Sequence, residues 1–246
     1  MSGPPVALVT GAAVRLGAGI VRRLHGSGYS VAVHYRSSSA AATALTDEVN
    51  GLRPGSADLV AGDIAQEGGP EALAVDVMAR WGGCDVLVNN ASAFFPTPMG
   101  EVTAADWDAL VGSNLRGPFF LVQALLPTLR ERCGVVVNLI DIHAERPLPD
   151  YPVYSMAKAG LAMMTRALAR DLAPEVRVNG VAPGAILWPE DPDDAWGSQR
   201  ANILERIPLG RTGESQDIAD AVAYLVGAPY VTGQVLAVDG GRSVVL

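Results

Sequence analysis

The sequence predicts an α/β fold, a single doubly wound domain with a central parallel sheet of about seven strands flanked by helices. Two observations predict it: short, continuously apolar runs of strand length recur along the chain, and segments with helical spacing lie between them. Continuously apolar runs are typical of strands in a parallel sheet that is covered on both faces. Repeated strand–helix alternation favours right-handed βαβ units. The strand candidates are residues 6–10, 29–35, 58–61, 85–89, 135–140, 176–181 and 235–238.

Apolar residues recur at helical spacing after the first strand candidate, before the fourth and before the sixth. They are Leu16, Ile20, Val21 and Leu24 in the first pattern, Leu73, Val77 and Met78 in the second, and the long pattern over 154–172 in the third. No linker, low-complexity stretch or internal repeat divides the chain. We therefore expect one domain over residues 1–246.

Residues 187–207 depart from this alternation. Four acidic residues and two prolines within 189–194 predict a loop rather than a strand. In open α/β sheets, ligands bind at the carboxyl ends of the strands. We therefore expect a substrate loop at 187–207, with a solvated surface loop as the alternative.

Composition limits the classes of partner. The 246 residues include 18 Lys and Arg against 26 Asp and Glu, a formal net charge of −8. This acidic balance argues against nucleic acid and membrane as partners, since both need a basic face. The 49% hydrophobic share excludes a disordered chain. Two cysteines exclude a disulfide scaffold, and the N-terminus lacks the basic region of a signal peptide, so we expect a cytoplasmic protein.

The first strand candidate runs into a glycine-containing turn, TGAAVRLGAG at residues 10–19, and a helix follows. Glycines such as Gly11 and Gly17 let the backbone turn tightly and approach a pyrophosphate, while the helix N-terminus supplies free N–H groups and partial positive charge. A lone glycine pattern is weak evidence, but this one has the required strand–turn–helix context. The turn therefore predicts a Rossmann-type dinucleotide site, with a plain βα turn as the alternative.

The end of the second strand candidate favours NADP(H) over NAD(H). NAD sites place an Asp or Glu there for the ribose 2′-hydroxyl, whereas this chain has His34-Tyr35-Arg36-Ser37-Ser38. Arg36 suits a 2′-phosphate because its donors form a bidentate fork, and Arg15 adds a second cation. The alternative is that both arginines are ordinary surface cations.

Tyr154 and Lys158 stand four residues apart in the long helical pattern, which places both side chains on one helix face. An ammonium group favours a neighbouring phenolate, so we expect Lys158 to lower the pKa of Tyr154. Such a Tyr can donate a proton to a substrate near neutral pH. The pair alone is common on helices. Together with the glycine turn, Asn89-Asn90-Ala91 and Pro183-Gly184, it is a strong indication of an active site.

These motifs make the chain similar to the short-chain dehydrogenase/reductases over its whole length. The resemblance implies that Tyr154 and Lys158 are catalytic and that Asn114 supports them through a water. It also implies that Asp63 contacts the adenine, and that Val238-Asp239-Gly240-Gly241 is the family's C-terminal signature. The implied cofactor contacts are Gly11, Arg15, Leu16, Gly17, His34, Tyr35, Arg36, Ser37, Asp63, Ile64, Asn90, Ala91, Ser92, Tyr154, Lys158, Pro183, Gly184 and Ile186.

Three departures from the family pattern resemble its pteridine reductase branch. Asp141 stands thirteen residues before Tyr154, where the family normally has Ser. Arg15 replaces the middle glycine of the turn, and Ser92 replaces the glycine after Asn-Asn-Ala. The branch carries Thr-Gly-Ala-Ala-x-Arg-Leu-Gly and an Asp–Tyr–Lys set.

Each departure has a chemical interpretation. Reduction of a C=N bond needs a hydride at carbon and a proton at nitrogen, and Asp141 can relay that proton or anchor the substrate's amino edge. Phe94 can stack on a flat pterin, which contributes on the order of 1 kcal/mol. The expected substrate contacts are Arg15, Ser92, Phe94, Asp141 and Tyr154. The alternatives are that Phe94 and Phe95 are core aromatics and that Asp141 is a cap or ion-pair partner.

The first hypothesis is an NADPH-dependent pteridine reductase acting on a dihydrobiopterin-like, dihydrofolate-like or oxidised pterin. A reductase of a 3-oxoacyl thioester is the second, although it would normally keep the Ser. A non-catalytic NADP-binding scaffold or sensor is the third, and the intact Tyr154, Lys158 and Asn114 argue against it. Histidine spacing predicts no metal site, and the family resemblance implies a homotetramer.

Overall fold

The structure is a computed structural model that describes residues 3–186 and 197–245. The described residues form a seven-stranded sheet of order β3-β2-β1-β4-β5-β6-β7, in which all neighbouring strands are parallel. The strands are β1 Val6–Val9, β2 Ser30–Tyr35, β3 Ala57–Ala61, β4 Val86–Asn89, β5 Val135–Leu139, β6 Arg177–Pro183 and β7 Val235–Val238. Each predicted strand is present, so the doubly wound α/β fold is confirmed.

Helices cover both faces of this sheet. They are α1 Arg15–Gly26, α2 Ser39–Leu52, α3 Gly69–Trp81, α4 Ala104–Val111, α5 Gly117–Glu131, α6 Pro152–Asp171, α7 Gly197–Glu205, α8 Ser215–Gly227 and α9 Arg242–Val245. A π-helical turn, Gly112–Arg116, joins α4 to α5, and a 3₁₀ turn, Ile142–Ala144, follows β5.

Alternation along each strand divides the core into two halves. In β1, Ala7 and Val9 belong to the cluster that includes residues of α1, α2 and α8, while Leu8 belongs to the cluster that includes residues of α3, α5 and α6. Because both faces are covered, all four residues of β1 are buried. This explains the continuously apolar runs in the sequence.

One helical stretch, Ala104–Glu131, has the length and hydropathy to cross a bilayer by composition alone. Half of its apolar window is buried, and its α5 portion packs against α3. That burial matches the behaviour of a helix in the core of an α/β sheet.

The predicted loop over 187–207 is only partly described. Residues 187–196 lie outside the described residues, and Gly197–Glu205 is a helix rather than a loop. Ile207 is buried after that helix, against the C-terminal glycine pair that follows β7. The chain therefore returns to the sheet's carboxyl edge at this point.

Candidate active site

The order of the strands assembles the predicted site. β1 and β4 are neighbours although they are far apart in sequence, and β2 and β3 lie beyond β1 on one side. The chain changes direction between β1 and β4, and such a switch point opens a crevice at the carboxyl ends of the strands. Four segments lie at or directly after the carboxyl ends of strands at this one edge: the glycine turn, the Asn-Asn-Ala segment, Asp141 and Pro183-Gly184.

The glycine turn fits a closely approaching backbone. Gly11 has a φ of +59°, and a Cβ there would lie 2.9 Å from Ala91 Cα. At Gly17, a Cβ would lie 2.3 Å from Gly11 O and 2.8 Å from Asn90 Nδ2. Side chains at either position would therefore collide with the turn and with the end of β4. Only glycine permits this packing.

The end of β4 holds the turn in place. Asn90 Nδ2 donates to the carbonyls of Thr10 and Gly11 at 2.8 and 2.9 Å. Thr10 Oγ1 accepts from the backbone N–H groups of Asn90 and Ala91 at 2.9 and 3.0 Å. Asn90 and Ala91 thus position the turn, in addition to any contact that they make with a cofactor.

The N-terminus of α1 is suited to an anion. Its N-cap, Val14, makes no side-chain capping hydrogen bond, and the first turn contains no acidic residue. The first N–H groups of a helix lack internal acceptors and carry partial positive charge. Arg15 begins the helix with a φ of +52° and Leu16 is half-buried beside it. These features fit a cofactor pyrophosphate.

His34 is a buried brace beneath the turn. Only 2% of its surface is exposed, and Gly11 N–H donates to its Nδ1 at 3.0 Å. Nε2 must then carry the proton, and it donates to Gly62 O at 3.2 Å. Burial lowers the pKa of His34 to about 4. The ring is therefore neutral near pH 7, and both of its nitrogens are hydrogen-bonded to backbone groups of the two turns on either side of it.

Arg36 is the exposed cation at the end of β2. Its side chain is 65% exposed, and Nη1 lies 3.8 Å from Asp63 Oδ2. Asp63 also caps its own turn by accepting from Ala65 N–H at 2.9 Å. Ser37 is exposed beside Arg36, Tyr35 is half-buried, and Ile64 is buried after Asp63. A guanidinium held this loosely is available to a phosphate.

Asp141 and Tyr154 are hydrogen-bonded to each other. Tyr154 lies in the first turn of α6, and its phenol donates to Asp141 Oδ2 at 2.7 Å. Asp141 Oδ1 accepts from His143 N–H at 2.9 Å, which caps the 3₁₀ turn after β5. Asp141 therefore has both roles that the sequence suggested: it caps a turn, and it is hydrogen-bonded to Tyr154.

Lys158 lies one turn further along α6 and is buried. Its Nζ donates to Leu139 O at 2.9 Å and lies 5.6 Å from the centroid of the Tyr154 ring. Burial lowers the pKa of Lys158 to about 8, opposed by the nearby Asp141. The ammonium group is thus held close to the phenol by a backbone carbonyl of β5.

The expected direction of the Tyr154 pKa was wrong. Burial, followed by the charge of Asp141 and its hydrogen bond, raises the pKa of Tyr154 well above its usual value. A buried phenol that donates to a carboxyl group is stabilised in its protonated form. In this arrangement Tyr154 is a neutral proton donor, and Lys158 does not overcome burial.

Asn114 lies in the π-helical turn and is fully buried. Its Nδ2 donates to Ala93 O at 2.9 Å and Leu110 O at 3.0 Å. Ser92 Oγ donates to Asn114 Oδ1 at 2.7 Å, so the residue that replaces the family glycine is tied to Asn114. π-helical turns inside α-helices occur frequently at functional sites.

Phe94 is not a core aromatic, since 51% of its surface is exposed. It stacks on Tyr151 with centroids 4.6 Å apart and meets Tyr154 edge-on at 4.8 Å. Phe95 is half-buried and packs against a small cluster that contains Leu110 and Tyr154. Of the two phenylalanines, Phe94 is therefore the one placed beside the reacting phenol with exposed surface.

The turn after β6 is packed against the end of β7. Gly184 N–H donates to Val238 O at 3.1 Å, and a Cβ on Gly184 would lie 2.6 Å from Asp239 Cβ. Pro183 ends β6, and Ile186 is buried shortly after it. These residues bring the C-terminal segment to the same edge of the sheet.

Sequence reasoning missed two residues at this site. Tyr151 stacks on Phe94. It directly precedes Pro152, and no sequence pattern there indicates a residue of the site. Arg242 follows the Gly240-Gly241 pair after β7. Because β7 lies parallel to β6, both strands end at the ligand-binding edge, and the residues after β7 could have been considered for the site on that ground.

A dinucleotide-type turn and a Tyr–Lys pair at one sheet edge define an oxidoreductase of the doubly wound class. The family model described as "Enoyl-(Acyl carrier protein) reductase" matches residues 11–243. The chain therefore belongs to the short-chain dehydrogenase/reductase family that this model represents.

Relatives within the family differ in substrate. The chain is 37% identical to pteridine reductase 1 of Leishmania tarentolae, over 97% of this chain and 96% of that protein. It is 36% identical to the 3-oxoacyl-[acyl-carrier-protein] reductase FabG of Staphylococcus aureus, over 96% of each. A solved structure of a blue fluorescent protein from a metagenomic library, in complex with NADPH, matches with a TM-score of 0.90 and 36% identity over 98% of each chain.

Proposed function

We propose that the protein is an NADPH-dependent pteridine reductase that reduces a dihydropterin, dihydrobiopterin-like or dihydrofolate-like, or an oxidised pterin, to the tetrahydro form. One observation carries this proposal: the hydrogen bond from Tyr154 to Asp141 at 2.7 Å, where the family resemblance implies a Ser. The similarity to a pteridine reductase supports it.

NADP(H) is the proposed cofactor. The turn around Gly11 and Gly17 and the N-terminus of α1 would hold its pyrophosphate, as the close packing of the glycines and the absence of a side-chain cap or an acidic residue in the first turn of α1 allow. Arg36, with Ser37 beside it, would hold the 2′-phosphate, while Asp63 and Ile64 would lie against the adenine. Lys158 and Gly184 would hold the nicotinamide half, which supplies the hydride when bound.

Tyr154 holds the proton that the reaction needs. Burial and Asp141 raise its pKa, so the phenol is protonated at neutral pH. A raised pKa also makes the phenol a weaker acid, so transfer of its proton to a substrate nitrogen depends on the groups that stabilise the phenolate. Asp141 accepts the phenol's hydrogen bond, and once it has taken up a proton from solvent it can pass that proton to Tyr154 after each turnover. Lys158 supplies positive charge beside the phenolate that forms when the proton leaves. General acid–base catalysis of this kind contributes about 10²–10⁴-fold to rate.

Phe94 would cover one face of the pterin. Its ring is half-exposed and is held in place by stacking on Tyr151. A flat, nitrogen-rich bicycle suits an aromatic ring of fixed orientation, since offset stacking contributes about 1 kcal/mol beyond burial. Ser92 and Arg15 would supply polar contacts at the ring edge.

The experiment that tests the function compares three substrates with one preparation. NADPH oxidation is followed with dihydrobiopterin, dihydrofolate and an acetoacetyl thioester side by side. We expect kcat/KM for at least one pterin to exceed that for the thioester by tenfold or more. A preference for the thioester would contradict the proposal and would favour a ketoacyl reductase, the activity named for the Staphylococcus aureus relative.

We also propose a homotetramer, because two apolar faces of the described structure are exposed. One is formed by α5 and α6, where Phe119 and Met163 flank Leu115 in a shallow groove of about 430 Å³. The other is β7, an edge strand with Leu236 exposed, and α8, which packs against β7 and has Tyr224 exposed. Large exposed apolar patches mark interaction sites, and a second copy of the chain carries the same patches.

Light scattering coupled to gel filtration tests this assembly. We expect a mass of about four chains for the wild type and a smaller assembly for Met163→Glu. A monomeric wild type would contradict the tetramer. We propose that the enzyme is cytoplasmic; the two cysteines, buried Cys84 and exposed Cys133, are unpaired, as is usual for proteins of a reducing compartment.

A further inference from the structure

Arg242 lies at the ligand-binding edge of the sheet without a carboxylate partner. Among residues 3–186 and 197–245, no carboxylate oxygen lies within 4.0 Å of its guanidinium, and its buried Nε has no hydrogen-bond acceptor. A half-buried guanidinium that lacks an acceptor is costly, because a buried polar group loses its water without compensation. Such a group is suited to an anionic ligand.

The order of the strands brings Arg242 to the same edge of the sheet as the reaction centre. The carboxyl ends of β5, β6 and β7 lie side by side, with Leu139 paired to Val181 and Pro183 paired to Val238. Strands in a sheet are about 4.8 Å apart, so the residues that follow β5 and β7 are about two strand spacings from each other. Asp141 follows β5, and Arg242 follows β7.

The turn that carries Arg242 is fixed from both sides. Asp239 accepts from Gly241 N–H at 2.9 Å and Ser243 N–H at 2.7 Å, so both of its carboxylate oxygens are engaged by backbone. Leu209 N–H donates to Gly240 O at 3.1 Å, which ties the turn to the segment after α7. Hydrogen bonds of the turn therefore fix the backbone on both sides of Arg242.

The charges that face Arg242 are mixed. Burial lowers its pKa, Asp141 raises it, Arg206 lowers it and Asp239 raises it. Both oxygens of Asp141 are engaged, by Tyr154 and by the backbone of His143. The two acids that act on Arg242 thus already accept hydrogen bonds on both of their oxygens, and neither forms an ion pair with it.

We propose that Arg242, with Arg206 beside it, binds an anionic group on the distal part of the substrate. The enzyme then prefers pterins whose side chain carries a carboxylate, of the dihydrofolate class, over pterins with a neutral side chain. This inference rests on the proposed pteridine reductase function and names the substrate class within it. The ring binds at Asp141 and Tyr154, and the carboxylate tail extends toward the end of β7.

The test compares Arg242→Gln with the wild type on two pterins. We expect the KM for dihydrofolate to rise about tenfold, the effect of removing a charge-assisted hydrogen bond, while the KM for dihydrobiopterin stays within twofold. Arg242→Lys keeps the charge and should recover part of the loss. Arg211→Gln is the matched control, because Arg211 is a nearby exposed arginine that already pairs with Asp217 at 3.2 Å.

The outcomes separate this inference from the proposed function. If KM rises equally for both pterins in Arg242→Gln, Arg242 acts on Asp141 or on the fold. If KM rises for neither, Arg242 does not bind the substrate. Either result overturns this inference and leaves the proposed function intact. Wild-type turnover of the thioester and of neither pterin would overturn the proposed function as well.

A measurement on the wild type keeps the inference testable if Arg242→Gln does not fold. Benzoylglutamate and its neutral diamide are compared as inhibitors against dihydrofolate. We expect the dianion to bind about tenfold more tightly, with an advantage that shrinks as salt rises from 50 to 500 mM, because screening weakens exposed charge pairs. Equal inhibition by the two compounds would overturn the inference.

Discussion

The phenol of Tyr154 donates a hydrogen bond to Asp141 Oδ2 across 2.7 Å, although the two residues lie thirteen apart in the chain and on different elements. The bond joins the end of β5 to the first turn of α6. It places a group that can take up and release a proton next to the proton donor. A Ser in the same place would offer a hydroxyl, which does not ionise near neutral pH.

Asp141→Ser tests whether that carboxyl group matters for turnover. We expect kcat for the pterin to fall by at least tenfold, because general acid–base partners contribute about 10²–10⁴-fold. NADPH affinity should stay within twofold, since the glycine turn and Arg36 lie on other strands. Steady-state kinetics and a fluorescence titration with NADPH measure the two effects.

Asp141→Asn is the matched variant, since it keeps the shape of the side chain and its cap on the 3₁₀ turn. It should lose turnover as Asp141→Ser does. Wild-type turnover in both variants would refute the proton relay and leave Asp141 as a structural cap.

The fold could be predicted because its signals are local. Each strand is a short apolar run, and the alternation of Leu8 with Ala7 and Val9 between the two halves of the core follows from strand geometry. The helix α7 was missed because the acidic residues and prolines just before it predict a loop, and that prediction was extended over all of residues 187–207.

The chemistry was harder to predict because it depends on contacts across the chain. The pKa of Tyr154 is set by burial, which no local pattern reveals. His34 braces turns at Gly11 and Gly62, 23 and 28 residues away. Arg242 acquires its neighbours only when β7 docks beside β6.

Arg36→Ala tests the preference for NADP(H). We expect the Kd for NADPH to rise by tenfold or more and the Kd for NADH to change by less than twofold, because only NADPH carries the 2′-phosphate. Arg22→Ala is the matched control, since Arg22 is an exposed arginine that pairs with Glu48 at 2.7 Å. Wild-type kcat/KM values that are equal for NADPH and NADH would contradict the preference.

Phe94→Ala tests stacking on the substrate. Loss of about 1 kcal/mol of aromatic stacking should raise the pterin KM about fivefold. Phe94→Tyr keeps the ring and should retain the wild-type KM. Because Phe94 is half-exposed, the free energy of unfolding should change little in either variant. An unchanged KM in Phe94→Ala would show that this ring packs only on Tyr151.

His34 makes stability depend on pH. Its folded pKa is about 4, against an ordinary value of 6.5, and burial is the main cause. Between these values the unfolded chain binds a proton that the folded chain does not, so the free energy of unfolding falls as pH drops from 6.5 to 4. One pKa unit corresponds to about 1.4 kcal/mol, so this contribution is of the order of 3 kcal/mol across the window.

Urea unfolding at pH 7 and at pH 5 measures the effect in the wild type and in His34→Gln. Gln retains a donor and an acceptor for the Gly11 and Gly62 backbones but does not titrate. We expect the wild type to lose about 2 kcal/mol more than His34→Gln between the two pH values. At pH 7 the variant should be the less stable of the two, since its amide cannot reproduce the geometry of the ring. An identical pH dependence in both proteins would mean that the pKa of His34 is the same in the folded and the unfolded chain, and the buried neutral brace beneath the glycine turn would have to be abandoned.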